Sequence, residues 1–209
     1  MQRFKNAQVA FEALYVEILA TGQPWQDTKA IFNRGFYLED PLDNLIQTEW
    51  RKWNKDYAEA EWKWYESGDP SAVKIAKRAP MWNKHMDMQG MVNSNYGYQW
   101  LRNHQLAYVI GLLRLKPDTR QAWITLYDGK ENLKYERDTP CTLNIGFHIE
   151  GGKLCMTVLM RSNDLWYGFC NDQYCFSLLQ RKIADELGLD VGHYFHYAHN
   201  LHLYNDKLP

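Results

Sequence analysis

The apolar pattern of this chain changes period near Ala122, and that change restricts it to a fold in which helices and sheet share one structure. Before it, Phe4, Ala7, Phe11, Leu14 and Ile18 recur at helical spacing and stop at Thr21-Gly22, which predicts an opening amphipathic helix. Trp50 to Ser67, rich in tryptophan and charge and closed by Gly68-Asp69-Pro70, predicts a second helix. Tyr98 to Leu115, closed by Lys116-Pro117-Asp118, predicts a third. After it come short β-rich runs, Ala122 to Tyr127, Leu143 to Ile149 and Lys153 to Met160, the last two joined as a hairpin at Glu150-Gly151-Gly152. Tyr174 to Leu187 returns to a helix ended by Gly188, and Gly192 to Tyr204 reads as a strand. Helices mixed with mostly non-crossover strands predict the α+β class. No repeat, low-complexity stretch or linker divides residues 1–209, so one domain is expected.

A chain of 209 residues can bury a sizeable core. Its formal net charge of -1 lacks the cationic excess that grips nucleic acid or an acidic membrane, so neither partner is expected. A bound phosphate would have to be met by a few placed residues. The apolar stretches fall short of the ~18–20 uncharged residues of a membrane span, and Glu12 and Glu17 interrupt the first of them. Neither a span nor a signal peptide is expected. Four cysteines without a C-x-x-C pair predict a reducing compartment, hence a cytoplasmic protein with Cys141 as a free thiol.

Cys141 stands in Thr139-Pro140-Cys141-Thr142. Arg161-Ser162-Asn163-Asp164 follows, then Gly168 and Asp172, and near the end His202-Leu203-Tyr204. A nucleophile, a guanidinium for a phosphate and a side chain able to read a base form the set that a pyrimidine-modifying enzyme needs. An isolated cysteine reads more readily as structural, but the spaced companions favour the nucleophile. In order and distance the segments "TPC", "RSND" and "HLY" resemble the thymidylate synthase family, and within it the viral deoxycytidylate hydroxymethylases. The resemblance runs from about Glu61 to the last residues and is strongest over Asp138 to Tyr204. The first sixty or so residues match poorly and rest on local patterning.

The resemblance implies a thymidylate synthase-like fold, a mixed sheet packed with helices, with one sheet face forming a homodimer interface. It implies that Cys141 adds to carbon 6 of the base and makes carbon 5 nucleophilic. Nearby positive charge would favour the thiolate, and Arg161, just after an apolar strand, could supply it while also holding a phosphate with its planar fork. Ser162 would add a hydroxyl. Arg120, in Asp118-Thr119-Arg120-Gln121, matches a segment that crosses from the other subunit to the phosphate, although Gln121 replaces a second basic residue there. A solvated surface arginine is the plain alternative for Arg120, and Arg34 is a further candidate for the phosphate.

Asp172 takes the position of an asparagine in thymidylate synthases. An acceptor-only carboxylate suits cytosine, whose amino group and protonated ring nitrogen are both donors, and opposes the carbonyl of uracil. Asp172 could instead be the N-cap of the helix that follows. His202 and Tyr204, two apart on a strand, share a face, and their family counterparts bind the sugar 3′-hydroxyl. Glu61, in "EWKWYESGD", matches a catalytic glutamate that organises water and moves protons; by position alone it would be an exposed helical residue. Tyr96, in "NYGYQW", matches a residue near the nucleophile. Trp82 in "PMWN", Asp164 and Gly168 match the folate side of the pocket.

The co-substrate implied is 5,10-methylenetetrahydrofolate. The sequence stops soon after "HLY", where thymidylate synthases continue into a sealing tail, and Thr142 replaces a usual histidine. Both departures point to water rather than hydride as the final reactant, so that hydroxymethyl-dCMP is the expected product. A methyl transfer on the same scaffold and an inactive nucleotide-binding homologue stay open. No metal is expected: His193, His196, His199 and His202 fall every third residue, which on a strand alternates faces and prevents all four from converging.

Overall fold

A computed structural model of the chain describes residues 1–132 and 137–209. Among these, seven strands form one mixed sheet. The strands are β1 (Gln2–Phe4), β2 (Gln23–Trp25), β3 (Thr28–Leu38), β4 (Trp123–Thr125), β5 (Thr142–Glu150), β6 (Lys153–Asp164) and β7 (Asp190–Tyr204). The helices are α1 (Ala7–Thr21), α2 (Lys55–Ser67), α3 (Tyr96–Leu101), α4 (Gln105–Leu115), the single turn α5 (Gly129–Asn132) and α6 (Cys170–Leu187). The strand order is β1-β3-β7-β6-β5-β4, with β2 paired to β3, so the class is α+β. The centre of the sheet, β6 beside β7, is parallel and is joined through α6, because parallel neighbours need a crossover that a tight turn cannot supply.

Side-chain alternation divides the sheet into two faces. On β7, Tyr194, His196 and Ala198 are buried, while Phe195 and Tyr197 are half-buried and His199 is exposed. On β6, Met156, Val158 and Met160 are buried and Thr157 and Leu159 are half-buried. Helices α1 and α6 pack on the sheet, and the buried residues join one contiguous core that includes Phe11, Leu14, Phe36, Phe169 and Phe176. On the opposite face Thr157, Leu159, Phe195 and Tyr197 are half-buried and leave an apolar surface half open. No helix among the described residues is long and apolar enough to cross a membrane.

Local chemistry explains the helix ends. The side chain of Asn6 accepts from the Val9 amide at 2.9 Å and starts α1; Asn54 does the same for Tyr57 at 3.0 Å and starts α2. The second helix therefore begins at Lys55, later than the pattern predicts, and the first five residues give β1 a place beside β3. The predicted helix from Tyr98 to Leu115 is two helices. Asn103 and His104, at φ 56 and 59, lie in the left-handed region and turn the chain between α3 and α4. Strand β6 runs on through Asp164, so Arg161 lies on the strand rather than after it. Strands β2 and β3 have no counterpart in the predicted pattern.

Candidate active site

Five segments meet where β6 ends. Cys141 precedes β5; Arg161 to Asp164 close β6; the π-helical turn Leu165–Phe169 leads into α6; and α2 and α3 supply Glu61 and Tyr96. The loop before Cys141 is fastened from both sides. Asp138 accepts from the Ser94 amide at 2.6 Å and from its hydroxyl at 2.8 Å, while Asn93 donates to the Asp138 carbonyl at 2.7 Å. From the other side, Arg161 donates through Nε to the Pro140 carbonyl at 2.9 Å and through Nη2 to the Thr139 carbonyl at 2.7 Å. Its backbone amide also donates to the Cys141 carbonyl, at 2.9 Å. One edge of the guanidinium thus sets the nucleophile loop, leaving the end of the fork for an anion.

Nη2 of Arg161 lies 3.7 Å from the Cys141 sulfur. The expected lowering of the thiol is present but outweighed. Burial pushes Cys141 up to about 11, Arg161 works against that rise, and the carboxyls of Asp172, Asp138 and Asp164 add to it. At neutral pH the residue is a thiol, free and partly exposed. Activation must come with the substrate or with a base.

Asp172 is not an N-cap. It lies in the first turn of α6, and its Oδ2 accepts from the Asn163 side chain at 2.8 Å. Asn163 Oδ1 is 3.0 Å from His196 Nε2, and His196 Nδ1 is 2.8 Å from the Tyr194 hydroxyl. Burial lowers His196 to about 3, so it is neutral and carries one ring proton. With Asn163 donating to Asp172, the row is satisfied throughout: Tyr194 O–H donates to Nδ1, Nε2–H donates to Asn163, and the Asn163 amide donates to Asp172. Gly168 makes room for this last bond, since a Cβ there would stand 3.1 Å from the Asn163 amide and 3.3 Å from Asp172 Oδ2. Despite the amide, burial and the neighbouring Glu61 hold the Asp172 carboxyl well above the usual range.

Glu61 is buried, 5% exposed, contrary to a surface reading. Burial raises it to about 7, against hydrogen bonds from Tyr57 and Tyr65 that favour the charge. Tyr57 donates to Glu61 at 2.8 Å and receives the Trp82 indole N–H at 3.0 Å, so Trp82 connects to the glutamate through a phenol. Tyr96 is buried, stacked on Phe176 at 5.6 Å, with Asp172 and Cys141 close enough to raise its hydroxyl further.

Asp164 caps the π-helical turn, accepting from the Trp166 and Tyr167 amides at 2.9 and 3.0 Å, and burial raises it to about 6. Beside it Arg51 donates to the Trp166 carbonyl at 2.9 Å, a contact across the fold with no sequence signal. Across β6 and β7, Ser162 is paired with Asn200 and Asp164 with His202. His202 Nδ1 is 2.7 Å from Asn200 Oδ1, which leaves Nε2 for a ligand, and burial lowers the ring's pKa. Tyr204 lies edge-on to it at 5.4 Å, at the end of β7.

Two arginines are not brought here. Arg120 is exposed on the loop between α4 and β4. Arg34 is engaged with Glu17 at 2.9 Å and with Gln2. Of the four spaced histidines, His196 and His202 are buried on one face while His193 is half-buried and His199 exposed on the other, as strand alternation requires.

The profile of the thymidylate synthase family matches residues 19–209. Over 105 residues the chain is 37% identical to the deoxyuridylate hydroxymethyltransferase of Bacillus phage SP01, a stretch covering 49% of this chain and 27% of that protein. Over 169 residues it is 25% identical to the thymidylate synthase of Bacillus licheniformis, covering 77% of this chain and 60% of the relative. The chain thus spans about a quarter of one relative's length and three fifths of the other's.

Proposed function

We propose a reaction that starts from one fact: this chain belongs to the thymidylate synthase family. The reaction is 5-hydroxymethylation of deoxycytidylate. The observation that carries it is Asp172, a carboxyl held by an amide beside Cys141 and Glu61.

A protonated Asp172 presents one donor and one acceptor to the edge of neutral cytosine, ring nitrogen 3 and the amino group. As the Cys141 sulfur bonds to carbon 6, electrons move into the ring and the carboxyl proton passes to nitrogen 3. The resulting carboxylate then faces two donors. The protonated carboxyl by itself does not discriminate; it is against the carboxylate that uracil would set its carbonyl lone pairs, a mismatch costing about 1–3 kcal/mol. Glu61, at about 7, is matched to moving protons near neutral pH: it takes the thiol proton through water and gives it up to the departing folate, which also takes the carbon 5 proton as it leaves; as a carboxylate again it deprotonates the water that captures the exocyclic methylene on carbon 5, and that proton returns to the Cys141 sulfur as the thioether opens. Arg161 and Ser162 hold the phosphate, with Arg120 contributed by a second copy, and His202 and Tyr204 hold the sugar hydroxyl. The half-open apolar sheet face is the homodimer surface. Tyr96 packs behind the base.

The pocket suits a folate. The Asp164 turn is bordered by exposed Tyr167 and by Trp50 and Trp166, 5.7 Å apart, which offer aromatic surface to a flat pterin with a carboxyl at its edge. Gly168 and Trp82 belong to the same side. When bound, methylenetetrahydrofolate supplies a one-carbon unit at the oxidation level of formaldehyde. The setting would be the cytoplasm, that of a host if the chain is viral.

Mass analysis of product made from dCMP and methylenetetrahydrofolate tests the reading. A gain of CH2O, with tetrahydrofolate released, is expected. A gain of CH2 would replace it with methyl transfer. Binding without release of the carbon 5 hydrogen would indicate an inactive homologue. A uracil nucleotide is the second substrate reading, favoured by the SP01 relative, a deoxyuridylate hydroxymethyltransferase; dUMP turned over faster than dCMP would establish it.

A further inference from the structure

We propose that His148, Glu150, Cys155 and His193 form a binding site for a tetrahedral divalent cation of the zinc class at the hairpin end of the sheet. The side chains come from three adjacent strands, and their ligand atoms lie within 4.8 Å of one another. His148 is directly opposite Cys155 in the β5–β6 register. Between β6 and β7 the register shifts: Leu154 faces Val191 and Met156 faces Tyr194, so two residues of β7, Gly192 and His193, oppose Cys155. That bulge turns His193 toward the sulfur. Gly192 is the residue that admits the thiol, for a Cβ there would stand 2.5 Å from it.

The spacing fits the ion. Metal–ligand bonds of about 2.0–2.3 Å in a tetrahedron give ligand–ligand edges of roughly 3.3–3.8 Å. The Cys155 sulfur is 3.5 Å from His193 Nδ1, that nitrogen is 3.7 Å from Glu150 Oε2, and Glu150 Oε2 is 3.8 Å from His148 Nε2. Two imidazoles, a thiolate and a carboxylate match zinc or cobalt(II), whereas magnesium and calcium demand oxygen shells. On binding, the Cys155 S–H bond gives way to a sulfur–metal bond and the proton leaves to solvent. Thiolate and carboxylate then offset the two positive charges, with Arg3 and Lys153 the cations close by. Four protein ligands leave no open coordination position, the mark of a structural site. It would tie β5, β6 and β7 together six residues along β6 from Arg161, roughly 20 Å from the nucleophile.

Chelator-stripped protein titrated with cobalt(II) tests this. The Cys141→Ser background removes the other accessible thiol. The expected result is saturation at one ion per chain, with a thiolate-to-cobalt charge-transfer band and the strong visible bands of tetrahedral cobalt, reversed by zinc. Cys155→Ser should abolish the charge-transfer band, and His148→Gln, on an exposed side chain that the fold does not need, should weaken binding about tenfold or more. Melting curves establish that each variant is folded; should Cys155→Ser fail to fold, His148→Gln decides. Absence of the band, its persistence in folded Cys155→Ser, or unchanged affinity in His148→Gln would overturn the site.

Discussion

A thiol lies near each end of strand β6, Cys155 on the strand itself and Cys141 just before its neighbour β5, and the two are surrounded differently. Cys155, at the hairpin end, has two imidazoles and a carboxyl group as neighbours. Cys141, bonded through its backbone to Arg161 at the far end, has a guanidinium 3.7 Å away and a set of buried carboxyls behind it. Burial raises both thiols, so burial does not distinguish them. The neighbours do. A cation would complete the first environment, whereas the second offers a fixed positive charge and buried carboxyls to a polar, anionic molecule. The same perturbation therefore has opposite meanings at the two ends of one strand.

The largest effect expected belongs to Cys141. If its end of the strand is the reactive one, Cys141→Ser lowers turnover of dCMP at least about a thousandfold, measured by hydroxymethyl product formed per unit time. Turnover within tenfold of the parent would remove the distinction between the ends. Asp172→Asn comes next: the ratio of kcat/KM for dCMP over dUMP should fall about tenfold or more, and an unchanged ratio would end the argument from the carboxyl.

Asn163→Ala should cost about 1–2 kcal/mol in kcat/KM for dCMP, roughly 5- to 30-fold, because Asp172 loses its donor. The dCMP preference should narrow as well, which a loss of stability alone would not produce.

The smallest effect concerns Glu61. Its folded value of about 7 lies above the ordinary 4.5, so its contribution to stability is complete below about 4.5 and is lost as pH rises through about 7. Glu61→Gln escapes that loss. The variant should melt above the parent on the alkaline side of 7, with the gap closing toward 4.5, and a gap that widened on acidification would contradict the burial argument.

Much of the polar site was readable because its residues sit in short motifs. Cys141, Arg161, Asp164, Asp172 and Tyr96 do converge, and Tyr96 was expected beside the nucleophile. What supports them was not readable. Asn163 carried no role of its own within "RSND", His196 stood only among four spaced histidines and Tyr194 only within the last strand, because the row they form crosses from β7 to β6 to α6. The hairpin cluster was hidden for the same reason, compounded by a bulge that no local pattern announces. Strand β3 escaped notice because its partners, β1 and β7, come from both termini. The break at Asn103 and His104 was missed because apolar spacing continues through it. The thiol misled differently: the guanidinium was visible in sequence, but the desolvation that outweighs it was not.

The row from Tyr194 to Asp172 runs one way, and that has a bearing on how such a pocket changes its preference. With Asn163 donating, an asparagine at position 172 would turn its carbonyl toward that N–H. Its own NH2 would then point into the cavity. In that direction the row orients a replacement amide toward the base, and one codon suffices to exchange an acceptor for a donor.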